Sequence, residues 1–424
     1  MSMKDNISGL WILVERLLDE THVHRINVEV DGNKISGQFG IAKTRFKFDG
    51  AIENSVMTFK RPFMYGKRAG MTDGQKVEAT YRGKMQDGCL VGEGTWGNIK
   101  SQWIARRPAT RTVEAPQTYT FTPTEFHRVI SATIPPALRI FPGDTVQTKS
   151  IDSGGYDENS AQRSLGGNPL TGPFYVEGAL PGDTLVVRWN RMRPNRDWAE
   201  SGDLIVGSAL TWMSLLRLKR VEGFNSRWRI DNERGLAYLD KPTAALKNFT
   251  IPLQPMLGCV CVAPPGRKAA STTDLGVYGG NMDYNRIRDG ITLYLPVFHE
   301  GALLFMGDGH AVQGDGELTG DALETSMEFE FEVDVIPEKS ISAPRAEDAD
   351  SIMAIGVGNS LDQALQHATT GMASWLEEEY KLNSPETAMV LGCAMKYEVA
   401  KFLGDQATIV AKLPKSVIAQ LKHL

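Results

Sequence analysis

The sequence predicts a mainly β protein with a helical carboxy-terminal part, in which a small all-β unit precedes a larger β-based one. Three observations predict it. Glycine supplies 42 of the 424 residues, above the usual share of about 7%. With 21 prolines and no low-complexity tract, this means many tight turns. Up to residue 107 apolar and polar residues alternate in short runs, which is the period of half-buried strands. Beyond residue 340 apolar residues recur instead at three- and four-residue spacing, the period of a helix with one buried face. At about 100–200 residues per domain, the length calls for more than one core. We divide the chain into an all-β unit over 1–107, a linker over 108–116 and a main domain over 117–424.

In the first unit residues 25–30 alternate, and Asp31-Gly32 turns the chain into residues 34–39. The pattern recurs at 45–50, 56–59 and 77–81, and Asp87-Gly88 opens a further hairpin that closes near Trp103. Strands at this spacing describe a meander or small barrel, lipocalin-like in outline. The unit carries no cluster of His, Cys and Asp, so no chemistry is expected there; a small-ligand cup is the other reading.

In the main domain Pro142-Gly143-Asp144 and Pro181-Gly182-Asp183 echo each other. Proline suits the second position of a type II turn and glycine the third, where φ is positive. Both read as turns opening equivalent strands in two stacked sheets. Later, Leu361, Leu365, Ala368, Met372, Trp375 and Leu376 share one helical face. Ser384-Pro385-Glu386 reads as an N-cap followed by proline at the first helical position, and residues 407–413 as a closing strand. The helical stripe is expected to pack on the sheets or on a sister subunit of a homo-oligomer.

Charge and cysteine content exclude several classes. With 46 Lys and Arg against 51 Asp and Glu, the net charge is −5, the wrong sign for a protein that binds nucleic acid through phosphates. No apolar run approaches the ~20 residues of a membrane span. Glu15 and Arg16 interrupt Trp11-Ile12-Leu13-Val14 before a signal-peptide core forms, so cytoplasmic residence is expected. The cysteines number 4 and are too scattered for a disulfide framework; Cys259 and Cys261 read as one face of a strand.

Chemistry concentrates in residues 276–317. Gly279-Gly280-Asn281-Met282-Asp283 precedes an apolar strand at 291–297, and a second apolar run leads into Gly307-Asp308-Gly309-His310. Residues 307–317 hold one His, two Asp, one Glu and four Gly. Functional side chains favour loops at strand ends, where glycine lets backbone approach a ligand. His with carboxylates is also a donor set for a divalent cation such as Zn²⁺.

Several long motifs here resemble, in order, those of the acetamidase/formamidase family. They are TGPFYVEGALPGDTLVV at 171–187, GGNMD at 279–283, LYLPV at 293–297 and GALLFMGDGHAVQGDGE at 301–317. The likeness extends over about residues 117–415. It implies a β-sandwich-based core, a homo-oligomer, and hydrolysis of a short aliphatic amide, such as formamide or acetamide, to carboxylate and ammonia. The β-unit before it would be an addition. The glycine between Asp308 and His310 departs from the family's usual residue, while the spacing from His310 to Glu317 is intact.

An amide needs a nucleophile, a stabilised oxyanion and a proton for its nitrogen. The chain has no GxSxG elbow and no cysteine in a glycine-rich loop, which leaves water activated by a divalent cation as the economical route. Asp152, Asp283 and His310 are the candidate ligands, with His310 also at the catalytic centre. Glu317 is the candidate general base and then the acid toward nitrogen, and Gly279, Gly280 and Asn281 the candidate substrate and oxyanion donors. Asp152 reads equally well as the opener of an Asx turn, and Asp308 and Asp315, each before glycine, as turn formers. A non-catalytic small-ligand or metal-binding protein on the same scaffold is the alternative.

Overall fold

The computed structural model describes residues 7–41, 44–64 and 76–421. The chain forms two compact units. One comprises Met1–Thr112 with Glu177–Asp183 and Pro337–Ser340; the other comprises Val113–Val176, Thr184–Ile336 and Ile341–Leu424.

The first unit contains a closed barrel of eight strands from Gly9–Leu17 to Ile99–Arg106, each antiparallel to the next. Closure comes from the first strand pairing with the last, Ile12 opposite Arg106 through Leu17 opposite Ser101. The alternation read from the sequence sends Trp11, Phe39, Phe48, Phe59, Tyr81 and Trp103 inward, so the expected small all-β unit is a barrel with an aromatic core. Asp87 and Gly88 have φ of +49° and +77°, the mirror-image turn that matches strand twist in a two-residue hairpin. Glu15 is fully buried in this interior, where it accepts hydrogen bonds from Tyr81 Oη (3.0 Å), Trp96 Nε1 (2.8 Å) and Ser101 Oγ.

The second unit is built on two large sheets. A six-stranded sheet runs in the order Leu138–Ile140, Leu170–Val176, Leu304–His310, Met256–Val262, Gly279–Asn281, Leu275–Gly276. A nine-stranded sheet runs from Lys396–Leu403 and Gln406–Pro414 through Ser351–Gly358, Arg345–Glu347, Thr292–Pro296, Thr184–Pro194 and Met327–Ile336 to Thr145–Ser150 and the edge strand Thr118–Thr120. Phe174 of the first sheet meets Phe331 of the second edge to face at 5.1 Å, as expected of a mainly β, sandwich-type core.

Both PGD segments form the expected turns. Gly143 and Gly182 have φ of +85° and +89°, and Asp144 N and Asp183 N donate to Phe141 O and Leu180 O, each at 3.0 Å. The strands they open, however, share the nine-stranded sheet, with Met327–Ile336 paired between them. The echo marks repeated turn chemistry within one layer.

Helix Leu361–Tyr380, capped by Ser360, buries Ala364, Ala368, Met372, Trp375 and Leu376 against the 351–358 and 406–414 strands. Leu361 and Leu365 stay exposed at its amino-terminal end. The next helix, Ser384–Ala394, is capped by Asn383, one residue earlier than expected. Asn383 and Glu386 there form a reciprocal capping box. Among the described residues no helix is long and apolar enough to cross a membrane.

Candidate active site

The site grows from two neighbouring strands of the six-stranded sheet. On Leu304–His310, Asp308 and His310 are two residues apart and share a face. Opposite them Met256–Val262 presents Gly258. A Cβ on Gly258 would lie 2.5 Å from Asp283 Oδ1, 2.6 Å from Asp308 Oδ2 and 2.9 Å from His310 Cε1. The missing side chain therefore makes the space into which the polar groups converge.

Asp283 arrives from the next strand, its N–H donating to Gly258 O at 3.1 Å. Glu317 sits in the turn after Gly314, and Glu324 follows, bridged to the end of the His310 strand. All five side chains are buried. Two triads meet at the imidazole, Asp283–His310–Glu317 and Asp308–His310–Glu324; within each, the potential ligand atoms lie within 4.8 Å of one another. Each of the five residues also holds a buried atom with no hydrogen-bond partner: Asp283 Oδ1, Asp308 Oδ1, His310 Nε2, Glu317 Oε2 and Glu324 Oε2. Buried donors and acceptors are rarely left so, and a cation held by either triad would satisfy the atoms of that triad that face it.

The surrounding bonds orient these groups. Gln313 Nε2 donates to Asp283 O at 2.6 Å, which turns Gln313 Oε1 toward His310 Nδ1 at 2.9 Å. The Gln313 bond keeps a proton on Nδ1, so Nε2, which lies 3.1 Å from Glu324 Oε1, is the nitrogen a cation would take once its own proton leaves. Asn168 Nδ2 donates to Asp308 Oδ2 at 2.8 Å and to Asn281 Oδ1 at 3.0 Å. Lys401 Nζ donates to Asp283 Oδ2 at 2.6 Å and to Asn281 O at 3.4 Å.

Four carboxyls around one imidazole and one ammonium leave excess negative charge in a dry place. Burial pushes Glu317 up to about 10, with the Asp283 charge adding to it. It also pushes Glu324 up to about 7 and raises Asp283 against the pull of Lys401. At His310 burial acts downward, but the Glu324 and Asp308 carboxylates outweigh it and hold the imidazole well above its ordinary range. The site opens on a cavity of about 460 Å³ lined by Ser153, Asn168, Asn281, Asp308, Glu317, Glu324 and Lys401 among others.

The structure brings together Asp283, His310 and Glu317, three of the residues read from the sequence, and places Asn281 on the cavity wall. Asp152 stands outside both triads. Its Oδ1 accepts from Tyr156 N at 2.8 Å, the Asx-turn reading, and its Oδ2 accepts from buried Arg196 at 2.6 Å. Arg196 in turn reaches Glu324 O at 3.3 Å, so Asp152 acts on the site at one remove. Gly279 and Gly280 are buried strand residues where a Cβ would strike Val260 O at 2.4 Å and Asp274 O at 2.3 Å. Backbone crowding accounts for both glycines.

Sequence reasoning passed over Asp308, Gln313, Glu324, Lys401 and Asn168. For Asp308 the signal was present, since it alternates with His310 on one strand. Its reading as a turn former fails because the 307–310 segment is strand to its end. Lys401 carries no comparable signal, because a bulge places it.

Comparison with known proteins agrees with the motifs. Residues 235–348 match the sequence model of the Acetamidase/Formamidase family. A formamidase-like protein of Schizosaccharomyces pombe is 26% identical over 241 residues, 44% of this chain and 58% of its own length. The match thus spans little more than half of that relative. The crystal structure of a predicted acetamidase/formamidase from Thermoanaerobacter tengcongensis superposes with a TM-score of 0.60 at 27% identity, covering 72% of this chain and 99% of that one. The acetamidase from Yersinia enterocolitica gives 0.61 at 27% identity, covering 74% and 96%. The resemblance to the acetamidase/formamidase family, in motifs and in the mainly β fold, is therefore borne out.

Proposed function

We propose that this relative of the acetamidases and formamidases hydrolyses the C–N bond of a short aliphatic amide to a carboxylate and ammonia, assisted by a divalent cation such as Zn²⁺. One observation carries the reading: four carboxyls and an imidazole, each with a buried unpartnered atom, converge on the space beside Gly258. Structural packing gives no reason to gather such a set, whereas a cation-assisted hydrolase has a use for it, as ligands and as a proton donor.

Of the two triads, Asp308–His310–Glu324 is the better cation seat. Asp283 is already neutralised by Lys401 at 2.6 Å, and that ammonium repels a second cation. The donors to Asp308 and Glu324 beside the imidazole are neutral: Asn168 Nδ2, Ala322 N and the Ser153 side chain. A cation bound there would polarise the substrate carbonyl and lower the pKa of a water toward ~7. Glu317 then remains free on the cavity wall. Held up to about 10 by burial, it carries a proton at neutral pH and is suited to deliver it to the departing nitrogen. This shifts its role from the base expected first toward the acid.

The test is ammonia release from formamide, acetamide and propionamide by protein stripped with chelator and reloaded with Zn²⁺. Release that follows metal content and disappears in His310→Ala supports the reading; loaded protein silent on every short amide overturns it. Assembly as a homo-oligomer is part of the same proposal, supported by exposed Met389 and Cys393 on the Ser384–Ala394 helix and tested by light scattering. So is cytoplasmic residence, which the four free cysteines suit and fractionation tests.

A further inference from the structure

Lys401 is built into the site with more care than neutralising Asp283 requires. It lies on the Lys396–Leu403 strand, whose pairing with Gln406–Pro414 runs Glu398 to Val410 and Val399 to Ile409, then jumps to Lys401 opposite Thr408. Ala400 is the extra residue. Side chains alternate along a strand, so this one-residue bulge changes the face on which Lys401 emerges. The bulge is held from the catalytic side: Ala400 O accepts from Gly316 N at 3.2 Å and from Gln313 Nε2 at 3.3 Å. The segment bearing His310 and Glu317 therefore fixes the irregularity that aims the lysine.

Once aimed, the side chain is 6% exposed and lines the same cavity as Asp308, Glu317 and Glu324. An ammonium has three N–H bonds. Asp283 Oδ2 and Asn281 O account for two of them, and the third remains for a ligand. Amide hydrolysis adds water oxygen to the carbonyl carbon while the C=O pair moves onto oxygen. Collapse then expels the nitrogen, which takes up both of the water's protons, so that amide and water become carboxylate and ammonium. The oxygen is negative only in between, and a fixed donor aimed at it acts where catalysis gains most.

We propose that Lys401 is a catalytic residue whose Nζ donates a hydrogen bond to the developing oxyanion, the role that the sequence alone gives to Gly279 and Gly280. The inference rests on the amide-hydrolase reading. Asp283 serves the lysine by holding it in place, and the Ala400 bulge sets its reach.

The experiment compares Zn²⁺-loaded wild type, Lys401→Met, and the double variant Lys401→Met/Asp283→Asn on acetamide. Losing one oxyanion donor lowers kcat by about 10²–10³-fold, with KM changed less. The double variant removes both charges together, so no buried acid is stranded and folding is preserved even if Lys401→Met alone unfolds. A double variant as slow as, or slower than, this expected loss supports the proposal. One that regains wild-type kcat overturns it, because the lysine would then only have neutralised Asp283. Lys401→Met within threefold of wild-type kcat overturns it as well. Wild type inactive on every amide overturns the hydrolase reading and the inference with it, whereas active wild type with an unaffected variant overturns the inference alone.

Discussion

Gly258→Ala is the sharpest perturbation the site offers, because it adds one methyl group and removes nothing. The φ of Gly258 lies outside the left-handed region, so alanine meets no backbone penalty there. The new Cβ would stand 2.5 Å from Asp283 Oδ1 and 2.6 Å from Asp308 Oδ2, roughly 0.8–0.9 Å inside ordinary van der Waals contact. These oxygens cannot easily retreat. Lys401 pins the Asp283 carboxylate from behind, and Asn168 pins that of Asp308. A functional constellation tolerates displacements of about 0.5 Å, so both acids would leave register with His310. Overpacking of this kind costs about 1–3 kcal/mol of fold stability. Even modest disturbance of the groups that hold metal ligands lowers affinity about 10–100-fold. The assay is titration of chelator-stripped protein with Zn²⁺ by calorimetry, beside thermal melts with and without the ion. A variant that melts lower yet binds Zn²⁺ as tightly as wild type would refute the reasoning, since the acids would then have some other reason to meet.

Three further outcomes are expected. Zn²⁺ binding should release protons and tighten as pH rises from 7 to 9, about tenfold per unit for each proton displaced, because without the ion Glu324 sits at about 7 and the His310 imidazole well above its ordinary range. Raised carboxyl pKa values favour the fold below the ordinary carboxylate range and lose that contribution as pH climbs through the folded values. The metal-dependent rise in Tm should therefore grow from pH 6 to 9, and calorimetry in two buffers of different ionisation heat that detects no proton release would contradict it. Glu317→Gln should lower kcat by about 10²–10⁴-fold while metal stoichiometry by elemental analysis stays at the wild-type value; loss of the metal would move Glu317 into the ligand set. Asp152→Ala strands buried Arg196 and should cost about 3–5 kcal/mol in denaturant unfolding, whereas Asp152→Ala with Arg196→Met should recover most of it and still bind Zn²⁺, an outcome a ligand role for Asp152 would not permit.

The barrel was legible because its signals are local. Asp87-Gly88 fixes a hairpin from two residues; Asp31-Gly32 marks another, whose loop falls one residue later at Gly32-Asn33 because Asp31 pairs with Lys34, and alternation then decides which side chains point inward. The PGD turns were legible for the same reason, although which sheet each strand joins depends on Met327–Ile336, more than a hundred residues away in sequence. His310 and Glu317 could be found because glycine, His and acid crowd into one short segment. Asp152 attracted attention by position, and its partner Arg196 shows why position misled: a buried guanidinium 44 residues on claims one carboxylate oxygen. Lys401 was out of reach, since a lysine in a carboxy-terminal strand reads as solvent-facing until the bulge at Ala400 is seen.

Backbone conformation ties these features together. Asp283, Asp308 and Glu317 have φ of +47°, +60° and +51°, a region in which non-glycine residues are uncommon and each costs of order 1–3 kcal/mol. Three of the four site acids therefore hold conformations that isolated strands and turns would avoid, in a place where burial also opposes their charge. Neither local propensity nor desolvation produces such an arrangement. Something must favour it: a retained proton on Glu317, and positive charge beside the other acids. Lys401 supplies one unit, directed at Asp283; Asp308 and Glu324 beside His310 call for another. A divalent cation in that seat would turn an arrangement of mutually repelling acids into a rigid centre. It would also leave Glu317, the one acid given neither an ammonium nor a place in that seat, as the group that keeps its proton.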